Sequence, residues 1–117
     1  MGFLTNISEK QIAKAKEELA LILPDEEEIE KVFIVKEDYC AITPKRVILI
    51  DKKLIGTKKA LVTIPYSKIN YVALKRGGMF SISKEVVIGT SGHNMEVDTY
   101  NLEEAYQIAK IISERIV

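Results

Sequence analysis

Residue types that commonly perform catalysis are scarce in this chain of 117 residues. It has one histidine, His93, and one cysteine, Cys40. Residues 90–94, around the histidine, have the composition of a hairpin turn, and no serine lies in a nucleophile-elbow pattern. Cys40 lies in an apolar run, which favours a small buried side chain over a reactive thiol. We therefore expect no catalytic residues and no enzymatic activity.

Metal and cofactor sites are equally unsupported by the residue types. A zinc site usually needs about four nitrogen or sulfur ligands, which one histidine and one cysteine cannot supply. The glycines at 77–78 and at 89 and 92 lack the lysine–hydroxyl ending of a phosphate-binding loop, and they lack the GxGxxG spacing. A single thiol also cannot form an intramolecular disulfide. We expect no metal and no cofactor.

Charge is distributed unevenly along the chain. Residues 45–76 contain nine basic residues and one acidic residue, Asp51, a net charge of +8 in a chain that is formally neutral. Three interpretations are open: solvated lysines that discourage aggregation at a sheet edge, a surface for anionic lipid headgroups, or a face that meets the acidic residues around 25–30 of another copy. The residues that could form this anion-binding or interface surface are Lys45, Lys52, Lys53, Lys58, Lys59, Lys75 and Arg76.

Nucleic acid is not an expected partner, because the net charge is zero and the basic segment is not interleaved with exposed aromatic residues. The apolar runs are too short to span a membrane. The start of the chain lacks the basic and apolar regions of a signal peptide. The expected location is therefore the cytoplasm.

The sequence predicts one helix near each end of the chain. Ser8 and Gln11 have capping-box spacing, apolar residues follow at helical intervals, and Pro24 ends the pattern, which predicts a helix over about 8–23. Residues 1–7 are predicted to be a flexible arm, and residues 25–28 a solvated acidic loop. Asn101, with Glu104 three residues later, predicts the start of a last helix over about 102–116, which carries a wide apolar stripe.

Seven short strands are predicted between the helices, over about 29–100, with turn signals between them. Short strands in this number indicate a bent antiparallel sandwich or open barrel, and the last amphipathic helix would plug it. Residues 8–117 are thus expected to form one α+β domain.

Two motifs resemble those of a known family. Residues 41–51 (AITPKRVILID) resemble the (A/F)xTxxRxxxxD strand–turn–strand element of bacterial pleckstrin-homology-like domains. Residues 64–69 (IPYSKI) are similar to the IPYxxI element of the same proteins. The resemblance covers about residues 8–117 and includes the first helix, as in small stand-alone members formerly described as a domain of unknown function.

The resemblance implies a seven-stranded sandwich capped by the last helix, no enzymatic activity, and self-association as a ring or dimer through sheet edges and the N-terminal segment. In lipid-binding relatives the basic residues cluster between the first two strands. Here that loop contains Glu37 and Asp38, which disfavours phosphoinositide binding.

Two structural expectations complete the interpretation. Arg46 and Asp51 would lie on opposite faces of one strand, since side chains alternate, and Arg46 would brace the turn after Thr43. Because the last helix already plugs the sandwich, the first helix would lie outside it and use its apolar face to cover a sheet edge or a neighbouring subunit. Its candidate self-association residues are Ile12, Leu19 and Ile22.

Together these features predict a non-enzymatic module that forms a homo-oligomer and binds a protein partner. The alternative is a peripheral membrane module that binds anionic lipid through residues 45–76.

Overall fold

The computed structural model describes residues 2–36, 38–55, 58–76 and 82–117, without the side chains of residues 2–8, 52–55, 58 and 82–83. A helix stands at each end and seven strands lie between them. The elements are α1 (Gly2–Ala20), β1 (Lys31–Val35), β2 (Asp38–Ile42), β3 (Arg46–Ile55), β4 (Lys58–Pro65), a 3₁₀ turn (Tyr66–Lys68), β5 (Ile69–Arg76), β6 (Ile82–Thr90), β7 (His93–Asp98) and α2 (Leu102–Arg115).

The strands form two antiparallel sheets. The first sheet has the order β1-β2-β3-β4, and the second has the order β5-β6-β7. Within each sheet, consecutive strands pair, as in the registers Phe33↔Cys40 and Val47↔Ile64. The described strands do not close into one barrel, because β4 and β5 follow each other in the chain but belong to different sheets. The predicted α+β sandwich, with one helix at each end, is confirmed.

The main core lies between the sheets and is plugged by α2. Ala105, Ile108 and Ile112 are fully buried and pack with inward-facing side chains of both sheets. These positions follow each other at helical spacing, as the sequence predicts. The helix begins where Asn101 accepts a hydrogen bond from the Glu104 backbone N–H at 2.9 Å, which satisfies one of the free donors at the helix start.

A second core lies under α1, on the outer face of the first sheet. Strands β1, β2 and β3 carry apolar side chains on both faces, so their outer face also needs a cover. The residues that form this core are Ala15, Leu19, Leu23, Val32, Tyr39, Ala41, Ile48 and Ile50. The Tyr39 hydroxyl also donates a hydrogen bond to Glu18 at 2.6 Å, which joins β2 to the helix.

The sequence left two alternatives for the apolar face of α1, a sheet edge or a neighbouring subunit, and the structure places it on the outer face of the chain's own first sheet. Leu19 has no exposed surface, and Ile12 is partly buried against the same core. Of the three candidate self-association residues, Ile22 alone is substantially exposed, at 47%. The outer face of the first sheet takes up the apolar face of the helix within one chain.

The bounds of the first helix also differ from the prediction. Helical backbone begins at Gly2, where a flexible arm over residues 1–7 was expected, and it ends at Ala20. Ser8 does not act as the helix start, because no proline precedes it and the preceding residues can themselves be helical. Within the described residues, neither helix is both long and apolar enough to cross a membrane.

Candidate functional site

A buried ion pair joins the loop before β1 to the turn between β2 and β3. The Arg46 guanidinium donates two hydrogen bonds to the Glu27 carboxylate, from Nε at 2.8 Å and from Nη2 at 2.9 Å. The Thr43 hydroxyl donates a third to the same carboxylate at 2.6 Å. The Glu27 side chain is only 2% exposed. Arg46 therefore braces the turn as predicted, but Glu27 does not belong to a solvated loop.

The environment of Glu27 favours its charged form. Burial alone would raise the pKa of the carboxyl group, but the hydrogen bonds from Thr43 and Arg46 and the charge of Arg46 outweigh it. The pKa of Glu27 therefore lies below its usual range.

The same turn is tied to α2 and to the start of the second sheet. The Tyr66 hydroxyl donates to the Thr43 carbonyl oxygen at 2.7 Å. Arg115 Nη1 donates to that oxygen at 2.8 Å and pairs with Glu30 at 2.7 Å. Every buried side-chain polar atom in the described residues has a partner. The motif residues Thr43, Arg46 and Tyr66 thus hold four segments together, and their polar groups bond to one another and to the chain.

The last residue of the first motif links the two sheets. Asp51 Oδ2 lies 2.9 Å from His93 Nε2, which joins β3 to β7. The Asp51 side chain is 10% exposed and that of His93 is 38% exposed. His93 was predicted in a surface turn, but it begins β7 and contributes to packing between the sheets.

Two lysines of the basic segment whose side chains the structure describes, Lys45 and Lys59, lie far apart along the first sheet. Lys45 precedes Arg46, which pairs with Pro65 at the end of β4, whereas Lys59 lies near the start of that strand. At about 3.3 Å per residue, the strand separates these two lysines by about 20 Å. Arg76 is exposed at the end of β5, and the side chains of Lys52, Lys53 and Lys58 lie outside the described residues.

Lys75 is occupied by acidic neighbours. Its amine lies 2.6 Å from a Glu96 oxygen and 3.1 Å from a Glu85 oxygen, so this candidate anion-binding residue already has two carboxylate partners. Two of the acidic residues around 25–30 are likewise engaged inside the chain, because Glu27 binds Arg46 and Glu30 binds Arg115. Among the described side chains, Lys75 from the basic segment and Glu27 and Glu30 from the acidic stretch thus have partners within the chain.

A different acidic surface forms on the second sheet. Side chains of β5, β6 and β7 alternate, so the positions between the buried core residues point to the outer face. Glu85 and Asp98 are opposite each other across β6 and β7, and Glu96 lies beside Val87. We call Glu85, Glu96 and Asp98, with the central Lys75, the acidic face. In the sequence, the alternation of Met95, Glu96, Val97 and Asp98 indicated a strand with acidic residues on one face. These residues form a cluster with Glu85 and Lys75 only when the neighbouring strands pair with this one.

The pKa of Glu85 is raised, first by burial and then by its hydrogen bond to Glu96 and the charges of Asp98 and Glu96, although Lys75 opposes the shift. A raised carboxyl pKa in the folded state makes the protonated form stabilising. That contribution is complete below about pH 4.5 and is lost as the pH rises through the folded-state pKa. We therefore expect Glu85→Gln to become progressively more favourable, relative to the unsubstituted protein, between pH 4 and 7. Urea unfolding across this pH range measures the difference in free energy of unfolding between the two proteins. A difference that does not change with pH would contradict a raised pKa at Glu85.

Tyr71 lies across Gly89 on the same outer face. A Cβ atom on Gly89 would overlap the Tyr71 ring, which is itself 44% exposed. We expect Gly89→Ala to destabilise the fold by about 1 kcal/mol, because the ring must move away. In a Tyr71→Ala background the same substitution should stabilise by about 0.5 kcal/mol, since only the lower backbone freedom of the unfolded chain remains. Thermal unfolding of the two single variants and the double variant tests this expectation. An equal effect of Gly89→Ala on stability with and without the Tyr71 ring would show that the ring and the added Cβ do not meet.

The main core is incompletely covered on one side. Strands β4 and β5 each pair on one edge alone among the described strands. Five side chains pack against the main core but stay partly exposed, and they come from β4, β5, α2 and the residue that follows α2. They are Val62, Val72, Leu74, Ile111 and Ile116. We call this region the open corner.

Comparison with known proteins identifies the family. The model of the bacterial PH domain family matches residues 1–116. Two uncharacterized Bacillus subtilis (strain 168) proteins are similar: YjqA is 33% identical over 96% of this chain and 93% of its own length. YozO is 24% identical over 84% of this chain and 86% of its own length.

Two solved structures share the fold. A pleckstrin homology domain from Shewanella amazonensis SB2B has a TM-score of 0.68 and 27% identity, over 88% of this chain and 96% of that one. A DUF1696 family protein with a pleckstrin-homology domain, from Shewanella loihica PV-4, has a TM-score of 0.63 and 27% identity, over 90% and 92%. With its two antiparallel sheets, its C-terminal helix and the two sequence motifs joined at one buried polar cluster, the chain belongs to the bacterial PH domain family.

Proposed function

We propose that the protein is a non-enzymatic assembly module that self-associates through its free strand edges and then binds a protein partner. The open corner is the observation that supports this proposal. Free edges of β4 and β5 expose backbone donors and acceptors, and partly exposed core residues lie beside them. A strand added there would satisfy both the backbone groups and the apolar side chains.

Strand β5 is the less protected of the two edges. Between Asn70 and Leu74 it has no charged residue, and its charges, Lys75 and Arg76, come at the end. Strand β4 begins with two lysines and ends at Pro65, features that discourage pairing. Pairing of β5 with β4 of the next copy would use both edges and build a ring, whereas pairing of identical edges would give a dimer.

The change Ala73→Lys tests the role of β5. Ala73 lies in the middle of the edge strand and is partly exposed, so a lysine there fits the fold but introduces a charge into any added strand pair. Light scattering behind size exclusion should show a discrete oligomer for the unsubstituted protein and a shift towards the monomer for Ala73→Lys. Ser113→Lys, on the exposed surface of α2, is the matched control and should leave the oligomer intact.

Two outcomes would contradict the proposal. One is a monomer of the unsubstituted protein at micromolar concentration. The other is an oligomer that Ala73→Lys leaves unchanged while circular dichroism shows a native fold.

The second candidate, binding of anionic lipid, has weaker support because Lys75 is paired and Lys45 is remote from Lys59. Co-sedimentation with vesicles containing phosphatidylserine, at low and high salt, separates the two functions. Binding that rises with anionic lipid content and falls with salt would favour the lipid function.

A further inference from the structure

We propose that the free edge of β5 binds an extended segment of a protein partner that has apolar residues at alternate positions and acidic residues at both ends. This inference rests on the partner binding proposed above and deepens it, because it names the strand that receives the partner and the chemistry that the partner must present.

Strand β5 has the form of a template for one more strand. It pairs with β6 along one edge, and no other described strand pairs with it along the opposite edge. Its eight residues, Ile69–Arg76, extend over about 26 Å at about 3.3 Å per residue. An extended segment of similar length could therefore pair with this edge through main-chain hydrogen bonds.

The apolar residues of β5 set the pattern of the segment. Val72 and Leu74 lie two positions apart, pack against the main core and stay partly exposed. Side chains that are opposite each other in neighbouring strands lie on the same face of the sheet. Every second residue of the added segment would thus lie beside Val72 and Leu74, and apolar side chains there would remove the exposed apolar surface of both from water.

The charges at the two ends of β5 set the sign of the charge on the partner. Lys68 directly precedes the strand and Arg76 ends it, and both side chains are exposed. Residues 58–76, which include both edge strands and the turn between them, contain no acidic residue. Lys75 is already held by two carboxylates of the second sheet, so Lys68 and Arg76 are the charges that would attract acidic residues at the ends of the segment.

The partner segment would compete with a second copy of the chain for the same edge. Strand β4 of a second copy contains no acidic residue that could meet Lys68 or Arg76. A segment with acidic ends complements β5 in charge as well as in main-chain hydrogen bonding. We therefore expect the partner to displace a second copy from β5.

Fluorescence polarisation with labelled synthetic peptides tests the chemistry of the segment without changing the protein. The peptide DEVTVTVDE has the proposed pattern. Its matched controls are KKVTVTVKK, with basic ends, DESTSTSDE, without the apolar residues, and DEVTPTVDE, whose proline cannot donate a strand hydrogen bond. We expect DEVTVTVDE to bind about tenfold more tightly than each control, and its binding to weaken as the salt concentration rises. Equal binding of the four peptides, or no binding of DEVTVTVDE, would overturn the inference.

Charge reversal at the ends of β5 tests the site on the protein. Lys68→Glu and Arg76→Glu should each weaken the binding of DEVTVTVDE by about fivefold, the effect of an exposed ion pair, and should strengthen the binding of KKVTVTVKK. Lys16→Glu makes the same change of charge on the exposed side of α1, which packs on the first sheet, and should leave both affinities unchanged. An equal loss of affinity in all three variants would mean that only the net charge of the protein matters.

Nuclear magnetic resonance of the ¹⁵N-labelled protein locates the bound peptide. We expect the largest changes in amide chemical shift within residues 69–76, together with slower hydrogen exchange of amides in this strand. Changes that concentrate on α1 or β7 would contradict the inference.

The outcomes separate this inference from the self-association proposed above. If the protein assembles and Ala73→Lys breaks the assembly, but no peptide binds, the inference is wrong and self-association stands. If the protein is a monomer at micromolar concentration and DEVTVTVDE binds to β5, self-association fails and the inference stands. If both hold, saturating peptide should shift the mass measured by light scattering towards the monomer, and an unchanged mass would contradict binding at the shared edge.

Discussion

Replacing Arg46 by alanine should lower the free energy of unfolding by about 3 kcal/mol. The change removes two hydrogen bonds to the Glu27 carboxylate, which is almost fully buried, and leaves that charge with Thr43 as its remaining hydrogen-bond donor. Breaking a buried ion pair from one side is costly because the other charge stays out of water. Urea unfolding at pH 7 measures the loss.

Matched variants separate charge from geometry. Arg46→Lys keeps the positive charge but loses the bidentate hydrogen bonding. Its free energy of unfolding should therefore lie between those of the unsubstituted protein and Arg46→Ala. Replacing both Glu27 and Arg46 by leucine should cost less than Arg46→Ala alone, since no buried charge is left unpaired. If the free energy of unfolding of Arg46→Ala lies within about 0.5 kcal/mol of that of the unsubstituted protein, the ion pair contributes no more than a surface contact.

The Glu27 pair also has a pH signature. The pKa of Glu27 is lower in the folded protein than its usual value of about 4.5. Its stabilising contribution is therefore complete above that value and is lost as the pH falls through the folded-state pKa. In Arg46→Ala this acid-dependent loss should shrink, because the guanidinium no longer favours the charged carboxylate.

Replacing Leu19 by alanine should destabilise the fold by about 3 kcal/mol. Leu19 has no exposed surface, and its removal leaves a cavity between α1 and the outer face of the first sheet. The helix would lose a fully buried side chain that belongs to the same core as Tyr39, Ala41 and Ile48. Thermal unfolding measures the effect.

Ile22→Ala is the control for this substitution. Ile22 is 47% exposed, beyond the end of α1, so the same class of change should cost less than about 1 kcal/mol. Light scattering on both variants shows whether α1 also contributes to assembly. A small effect of Leu19→Ala on stability, with loss of the oligomer, would mean that α1 packs on a neighbouring subunit instead of its own sheet.

Local patterns predicted most of the fold. The alternation of apolar residues predicted the seven strands between the helices, and Asn101 with Glu104 marked the start of α2. These features depend on neighbours in the chain, so one sequence was enough to recognise them and the bacterial PH domain motifs that they form. The reason for apolar residues on both faces of β1 to β3 became evident only when the structure placed α1 over the outer face of the first sheet.

The candidate site was less accessible to sequence reasoning. Lys45 and Lys75 looked like parts of one basic surface because both belong to a segment with net positive charge. In the folded chain Lys45 and Lys75 lie on different sheets, and Lys75 contacts Glu85 and Glu96 on the two strands that follow its own. Charge counts along a segment do not report such long-range pairing.

The sequence by itself determined the class of the domain, the order of its helices and strands, and the apolar positions that fill its main core. Only the tertiary structure decided that α1 covers its own sheet, that Glu27 is buried against Arg46, and that the acidic face forms on β5 to β7. The physical reason is the range of the interactions. Hydrogen bonding and apolar periodicity act between near neighbours, whereas ion pairs and helix-on-sheet packing depend on which distant segments the fold brings within a few ångströms.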